Sequence, residues 1–175
     1  VADHVLGVSQ QIRLHQSRRD WAQAAAATRR ILKMPGGRKS THIRRLVELY
    51  QRDNQFDEAL GWIDGWKQIS PGSTLPWITE AKLLGYQGKE KDALLVMRKA
   101  VQKFDEDADL RAQLAQMNAE SGRHGDAEQL YWQLYEETDD LSGKLRWAQE
   151  LAKLAETQGK VEQLVAAFDE RRRNN

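Results

Sequence analysis

Four histidines are the side chains best suited to metal binding or proton transfer in this sequence of 175 residues, which contains no cysteine. They are His4, His15, His42 and His124, and no two of them lie four residues apart, the spacing at which one helix face presents two ligands to a metal ion. Without cysteine the chain has no disulfide, no thiolate ligand and no cysteine nucleophile. We therefore expect no metal site.

A glycine-rich segment, Pro35-Gly36-Gly37-Arg38-Lys39-Ser40, has some of the residues of a phosphate-binding loop. It lacks the preceding strand and the spacing that would place backbone amides around a phosphate. The Asp and Glu residues are typical of exposed helix faces and helix starts, where solubility and capping account for them. We therefore expect no catalytic activity and no cofactor.

Positive charge is concentrated at the N-terminal end of the chain. Residues 1–52 contain 11 Lys or Arg and 3 Asp or Glu, a net charge of +8, whereas residues 53–175 contain 16 and 23, a net charge of −7. Such a basic patch attracts an acidic protein, RNA or the acidic end of another copy. Nucleic acid is the weaker interpretation, because the patch lacks the interleaved aromatic residues that stack on bases. The patch comprises Arg18, Arg19, Arg29, Arg30, Lys33, Arg38, Lys39, Arg44 and Arg45.

No stretch approaches the roughly 18 consecutive apolar residues of a membrane span, which argues against an integral membrane protein. The compartment stays open between the cytoplasm, which we favour, and an exported location such as the periplasm, because a chain without cysteine carries no redox signature. The chain begins at Val1 rather than at a methionine, so we expect it to be part of a longer protein.

A repeat organises the whole chain. Ala59, Ala93 and Ala127 lie 34 residues apart, and each directly follows Asp or Glu. The same step relates Asn54, Gly88 and Gly122; Val47, Ala81 and Ala115; Ile63, Met97 and Tyr131; and Trp66, Ala100 and Leu134. Because these columns share one register, they predict repeated structural units. The repeats, numbered 1 to 5, span approximately 3–34, 40–71, 74–105, 108–139 and 142–173.

Each repeat contains two segments whose apolar residues have helical spacing. A glycine or asparagine lies between them, and these residue types enter the left-handed conformation that ends one helix before a tight turn. Each repeat is therefore predicted to be a helical hairpin, and no segment is predicted to be a strand. We expect Ser142 to help cap the first helix of repeat 5, and the six tryptophans to pack in the core.

This pattern resembles the tetratricopeptide repeat (TPR) family, whose unit is a helix-turn-helix of 34 residues. Repeat 3 carries the resemblance best, through Trp77, Ala81, Leu84, Gly88, Ala93, Met97 and Ala100. Repeat 1 departs from it at Arg19, where glycine is usual between the two helices. The resemblance implies an all-α fold, a right-handed superhelix of about five hairpins that forms a single domain over residues 1–175.

The resemblance also implies a concave groove lined by first-helix residues. On that basis the candidate partner-binding residues are Arg13, Arg44, Glu48, Arg52, Ile78, Lys82, Tyr86, Gln113 and Gln116. Ser17, Gln51, Glu120, Gln149, Lys153 and Glu156 share the same predicted face. Arg44, Arg52, Lys82 and Tyr86 stand out, because they combine cationic donors with a flat amphipathic ring.

A non-catalytic scaffold is the function that the resemblance implies. Such a protein-protein interaction or assembly module binds a peptide or a partner helix in its groove. Two alternatives stay open: an RNA- or nucleic-acid-binding helical repeat that uses the basic N-terminal repeats, and a structural spacer within a longer array.

Overall fold

The computed structural model of the chain describes the backbone of residues 2–174 and the side chains of residues 6–173. This part of the chain is built of α-helices and short turns and contains no β-strand, which confirms the all-α prediction. The helices are α1 (Ala2–Ser17), α2 (Trp21–Lys33), α3 (Ser40–Arg52), α4 (Phe56–Leu60), α5 (Ile63–Ile69), α6 (Leu75–Tyr86), α7 (Glu90–Lys103), α8 (Ala108–Glu120), α9 (His124–Glu137), α10 (Leu141–Gln158) and α11 (Val161–Asn174).

Two compact units divide the chain, an N-terminal unit (Val1–Met97) and a C-terminal unit (Arg98–Asn175). In the N-terminal unit α1 packs on α2, α2 on α3, α3 on α4 and α5, and both of these on α6. In the C-terminal unit α8 packs on α9, α9 on α10 and α10 on α11. Within each unit a helix thus packs on the next one along the chain, which is the packing of helical-hairpin repeats.

The turns between paired helices all contain a residue in the left-handed region. Asn54, Gly88, Gly122 and Gly159 have φ of 56°, 71°, 73° and 65°. Arg19 takes the same role in repeat 1 with φ 60°, although its Cβ makes that conformation less favourable than it is for glycine. The common turn geometry therefore extends to the repeat whose sequence departs from the pattern.

The second helix of repeat 2 differs from the prediction of one continuous helix. It is interrupted after α4, at Gly61 and Trp62. There the amide of Trp62 donates to the carbonyl of Ala59, three residues back, at 3.1 Å, which is the tighter hydrogen bonding of a 3₁₀ turn. The chain resumes as α5, and both Ile63 and Trp66 stay buried.

Aspartates begin two helices of the C-terminal unit. A side-chain oxygen of Asp107 accepts from the amide of Leu110 at 2.8 Å, and one of Asp140 accepts from the amide of Gly143 at 2.8 Å. The cap of α10 thus comes from Asp140, and the predicted Ser142 lies in the first turn of the helix, because Asp140 stands at the position from which a side chain reaches the first free amides.

Tryptophans contribute to the cores of both units. Trp66 is buried in the N-terminal unit, and Trp132 and Trp147 are buried in the C-terminal unit. Phe168 of α11 packs on Trp132 with ring centroids 4.7 Å apart, and the guanidinium of Arg171 lies 3.7 Å from the Trp132 ring centroid. These contacts fix the last helix to α9. No helix in the described part of the chain is long and apolar enough to cross a membrane.

Candidate functional site

The predicted residues of repeats 1 and 2 are exposed, and several of them contact one another or a neighbouring ring. The guanidinium Nε of Arg44 lies 3.4 Å from a carboxylate oxygen of Glu48, one helical turn away. The guanidinium of Arg52 lies 5.1 Å from the centroid of the Trp21 ring. Arg13 is exposed on α1. Two of the three arginines thus already have an electrostatic partner within the chain.

Repeat 3 supplies three further predicted residues from α6. Tyr86 is 59% exposed and stacks on Phe56 of α4, with ring centroids 5.7 Å apart and an interplanar angle of 24°. Lys82 is exposed and Ile78 is half-buried. The predicted residues of α6 therefore comprise an exposed cation, a half-buried apolar side chain and a tyrosine ring that already stacks on Phe56.

Repeat 4 supplies Gln113, which is half-buried, and Gln116, which is exposed, both from α8. The side-chain amide of Gln116 donates to a carboxylate oxygen of Glu120 at 2.8 Å. Gln116 and Glu120 lie at the edge of a cavity, which makes this part of the predicted face different from the N-terminal part.

The cavity lies between α8, α9 and α10 and has a volume of about 300 Å³. We call it the α8–α10 pocket. Its walls include Ala119, Glu120, Tyr131, Glu150, Lys153 and Leu154, and Gln116 and His124 also line it. Helix packing explains the opening: α9 contacts both α8 and α10, so the two first helices flank it and Tyr131 of α9 lines the space between them.

Tyr131 is the most buried of the polar residues that line the pocket. The residue is only 4% exposed, but its hydroxyl, which makes no hydrogen bond with a residue in the described part of the chain, keeps some contact with solvent. Burial raises the pKa of the Tyr131 phenol to about 12, and the negative charges of Glu150 and then Glu120 act in the same direction, against Arg146. The hydroxyl is therefore a neutral donor at physiological pH.

Two carboxylates border the pocket, and they differ in whether a described residue forms an ion pair with them. Glu150 binds the ammonium of Lys153 at 2.6 Å, three residues along α10. Glu120 accepts only the neutral amide of Gln116 and makes no ion pair with a described residue. The Nδ1 atom of His124 is buried and has no hydrogen-bond partner among the described residues. The pocket thus offers an uncompensated negative charge beside unused hydrogen-bonding groups.

Three residues of the predicted first-helix face, Gln116, Glu120 and Lys153, line the pocket. The other polar lining residues Glu150, His124 and Tyr131 were not among the predicted residues. Tyr131 was recognised only as a member of a repeat column, with Ile63 and Met97, and such columns predict packing. A polar tyrosine in an otherwise apolar column was the available signal.

The structure describes three of the four histidines, since the side chain of His4 lies outside the described residues. Among the described side chains, no three His, Asp or Glu residues are grouped closely enough to hold a metal ion. The Nδ1 atom of His42 contacts the carbonyl of Gly37 at 2.7 Å, so this histidine holds the linker between repeats 1 and 2.

Comparison with known proteins gives similarity in structure alone. No protein-family model and no curated protein sequence matches the chain. The structure is similar to that of MamA, with a TM-score of 0.63 and 16% sequence identity over 97% of this chain and 90% of that one. It is also similar to the TPR-like repeats of a protein described as a kinesin light chain from Podosopora anserina, with a TM-score of 0.66 and 14% identity over 94% and 92% of the two chains.

A third similar structure is YrrB, which is described as a TPR protein with an unusual peptide-binding site. Its TM-score is 0.58 and its identity 16%, over 90% of this chain and 79% of that one. At such low identities the likeness shows the fold and not the activity. Together with the helical hairpins and their left-handed turns, it shows that the chain has the fold of a tetratricopeptide-repeat protein.

Proposed function

We propose that this chain is a non-catalytic interaction module that binds a peptide segment or a helix of a partner protein on its first-helix face. The observation that carries the proposal is the α8–α10 pocket, which combines the nearly buried ring of Tyr131 with the polar side chains of Gln116, Glu120 and Lys153. The Tyr131 hydroxyl makes no hydrogen bond with a described residue, so a ligand that reaches it adds a hydrogen bond without breaking one inside this part of the chain.

The position of the pocket supports the same proposal. Gln116, Glu120 and Lys153 belong to the face that the TPR resemblance predicted, and all three line the cavity. An extended peptide lying across the first helices would present one side chain to the pocket and its backbone to the exposed polar residues. The peptide-binding site of YrrB belongs to YrrB, and it supports only the choice of ligand class.

Nucleic acid is the weaker candidate. The nine residues of the basic patch are all exposed, as an electrostatic surface requires. Trp21, an aromatic residue in the same part of the chain, has the guanidinium of Arg52 over its ring at 5.1 Å, in a place where a base would stack. Nucleic-acid binding would weaken steeply with salt and on reversal of Arg44 and Arg45. A spacer, the other alternative, would bind neither ligand class.

The direct test is a binding screen with randomised acetylated and amidated heptapeptides, read by fluorescence polarisation. Gln116→Trp places a large ring at the pocket, and we expect it to weaken the peptides that bind the native chain at least tenfold. Gln129→Trp is the matched control, because Gln129 is an exposed glutamine on α9 that does not line the pocket. Equal binding by both variants, or no binding by the native chain, would contradict the proposal.

The proposal also treats residues 1–175 as one repeat domain. A single unfolding transition, observed at the same urea concentration by probes in the N-terminal and C-terminal units, is the expected result. Two separated transitions would contradict the single-domain part of the proposal and leave the peptide site unaffected.

A further inference from the structure

We infer that the α8–α10 pocket binds the cationic side chain of a lysine or arginine from a partner peptide, an inference that rests on the proposed function. Three features carry it: a carboxylate without a cationic partner and a hydroxyl without a hydrogen-bond partner, both among the described residues, and an apolar wall beside them. Each feature suits a different part of one long basic side chain.

The carboxylates select the charge of the ligand. Glu120 makes no ion pair within the described part of the chain, and its only hydrogen bond is from the neutral amide of Gln116. Glu150 contacts Lys153 at 2.6 Å, which demonstrates that a side-chain ammonium can be held at this edge of the pocket. An entering cation would bind Glu120 directly and share or replace the Lys153 contact at Glu150.

Tyr131 shows that the negative charge acts inside the pocket and not only at its rim. Both Glu150 and Glu120 raise the pKa of the Tyr131 phenol, in addition to the larger effect of burial. The two carboxylates therefore act on the phenol in the direction that would also stabilise a cation, and Arg146 acts against them. The oxygen of its hydroxyl can also accept a hydrogen bond from an ammonium or guanidinium group.

The apolar wall suits the methylene stem of a basic side chain. Ala119 of α8, Leu154 of α10 and the ring of Tyr131 line the cavity beside the carboxylates. Lys and Arg bury their methylene groups against such surfaces while the charged end reaches polar groups. A short or acidic side chain would leave either the wall or the carboxylates uncovered.

Positive groups near the pocket do not cancel this selectivity. Arg146 lowers the pKa of Tyr131, but its guanidinium pairs with Asp109 at 3.1 Å. Lys153 is the one cation that lines the pocket among the described residues, and it is 67% exposed and bound to Glu150. With Glu120 and Glu150 both ionised, the pocket carries a net negative charge.

The test uses a positional-scanning library of acetylated, amidated heptapeptides, each sublibrary having one fixed residue. The full chain is compared with Glu120→Gln/Glu150→Gln and with Glu162→Gln, which removes a charge from an exposed residue of α11. We expect Lys or Arg at one position to bind the native chain at least tenfold more tightly than norleucine. That preference should fall below threefold in the double variant and persist in Glu162→Gln. Melting curves followed by circular dichroism check that each variant is folded.

The outcomes separate this inference from the proposed function. Peptides that bind without a preference for Lys or Arg would overturn the inference and keep the peptide-binding function. Failure of every sublibrary to bind the native chain would overturn both. Self-association that depends on concentration and is lost in Glu120→Gln/Glu150→Gln would identify the basic N-terminal repeats of a second copy as the occupant, and would overturn the partner-peptide inference. Tyr131→Phe should weaken basic peptides about threefold and leave norleucine peptides unchanged.

Discussion

The joint between repeats 2 and 3, in the N-terminal unit, and the joint between repeats 4 and 5, in the C-terminal unit, both contain a lysine-glutamate pair but use it differently. In the first joint the ammonium of Lys67 from α5 lies 2.5 Å from Glu80 of α6 and 3.8 Å from the centroid of the Trp77 ring. Lys67 and Glu80 are only 17% and 20% exposed. This pair links α5 to α6 across the joint.

In the second joint, hydrogen bonds close the side at Trp147, whereas the side at the α8–α10 pocket is open. The indole N–H of Trp147 on α10 donates to the hydroxyl of Thr138 at 3.0 Å, and that hydroxyl donates to the carbonyl of Leu134 at 2.7 Å. At the α8–α10 pocket, Lys153 and Glu150 are 67% and 33% exposed and belong to the same helix.

This difference in exposure means that the Lys67–Glu80 pair stabilises the fold, whereas the Lys153–Glu150 pair can exchange its partner. A mostly buried pair that joins two helices is costly to break, because its remaining charge loses its partner in a poorly solvated place. An exposed pair on one helix contributes little to stability and can be replaced by an outside cation. The first joint is therefore a fixed part of the fold, and the second is where we propose that a ligand binds.

The largest expected effect is on the closed side of the second joint. Trp147→Ala should lower the free energy of unfolding by about 3 kcal/mol or more, because it empties a buried volume and removes the hydrogen bond to Thr138. Trp147→Phe keeps most of the volume and should lower it by only about 1 kcal/mol. Urea denaturation measures both. Equal losses would show that the indole N–H matters more than the packing.

The second-largest expected effect is the difference in unfolding free energy between substitutions of Lys67 and of Lys153. Lys67→Ala should cost about 2 kcal/mol of unfolding free energy, since it leaves Glu80 without its partner in a poorly solvated place. Lys153→Ala should change that free energy by less than about 0.5 kcal/mol. The same urea titrations provide the comparison. If the two substitutions cost the same, the distinction between the joints fails.

The pKa of Tyr131 predicts an alkaline effect. The raised pKa means that the folded protein keeps the phenolic proton more strongly than the unfolded chain, so this contribution is fully present below about pH 10 and is lost as the pH rises through about 12. Between pH 9 and pH 11 the native chain should therefore lose about 1 kcal/mol more stability than Tyr131→Phe. Parallel losses would mean that Tyr131 titrates as an exposed tyrosine does.

The smallest effect concerns affinity. Lys153→Ala releases Glu150 from its ion pair, and we expect a Lys- or Arg-containing heptapeptide to bind about threefold more tightly. Lys89→Ala is the control, because Lys89 is exposed and lies in the N-terminal unit. Isothermal titration calorimetry gives the dissociation constants. Weaker binding by Lys153→Ala would mean that Lys153 contacts the ligand instead of competing with it.

Much of the fold could be predicted from the sequence, because periodicity and turn residues act locally. The step of 34 residues and the Gly or Asn positions located the helical hairpins, and even Arg19 adopts the turn conformation that its position requires. The interruption of the helix at Gly61 and Trp62 was not predicted, because apolar residues have the same spacing in one continuous helix and in two helical segments in register. The sequence does not fix the residue at which α10 begins, and because its first residue is Leu141 the capping position falls on Asp140 and not on Ser142.

The site could be predicted only in part. The resemblance identified a helix face, which included Glu120 and Lys153, but not where two helices leave a space between them. That space depends on how α8 and α10 each pack on α9. Tyr131 is buried like its column partner Met97, and only the pocket beside it makes its hydroxyl available.

The central claim is that Glu120 and a basic residue of the partner peptide interact directly, and a double-mutant cycle tests it. The best Lys-containing heptapeptide and its norleucine analogue are titrated by calorimetry into the native chain and into Glu120→Gln. We predict a coupling free energy of at least about 1 kcal/mol between the two changes. A coupling near zero, with each change acting independently, would contradict the account.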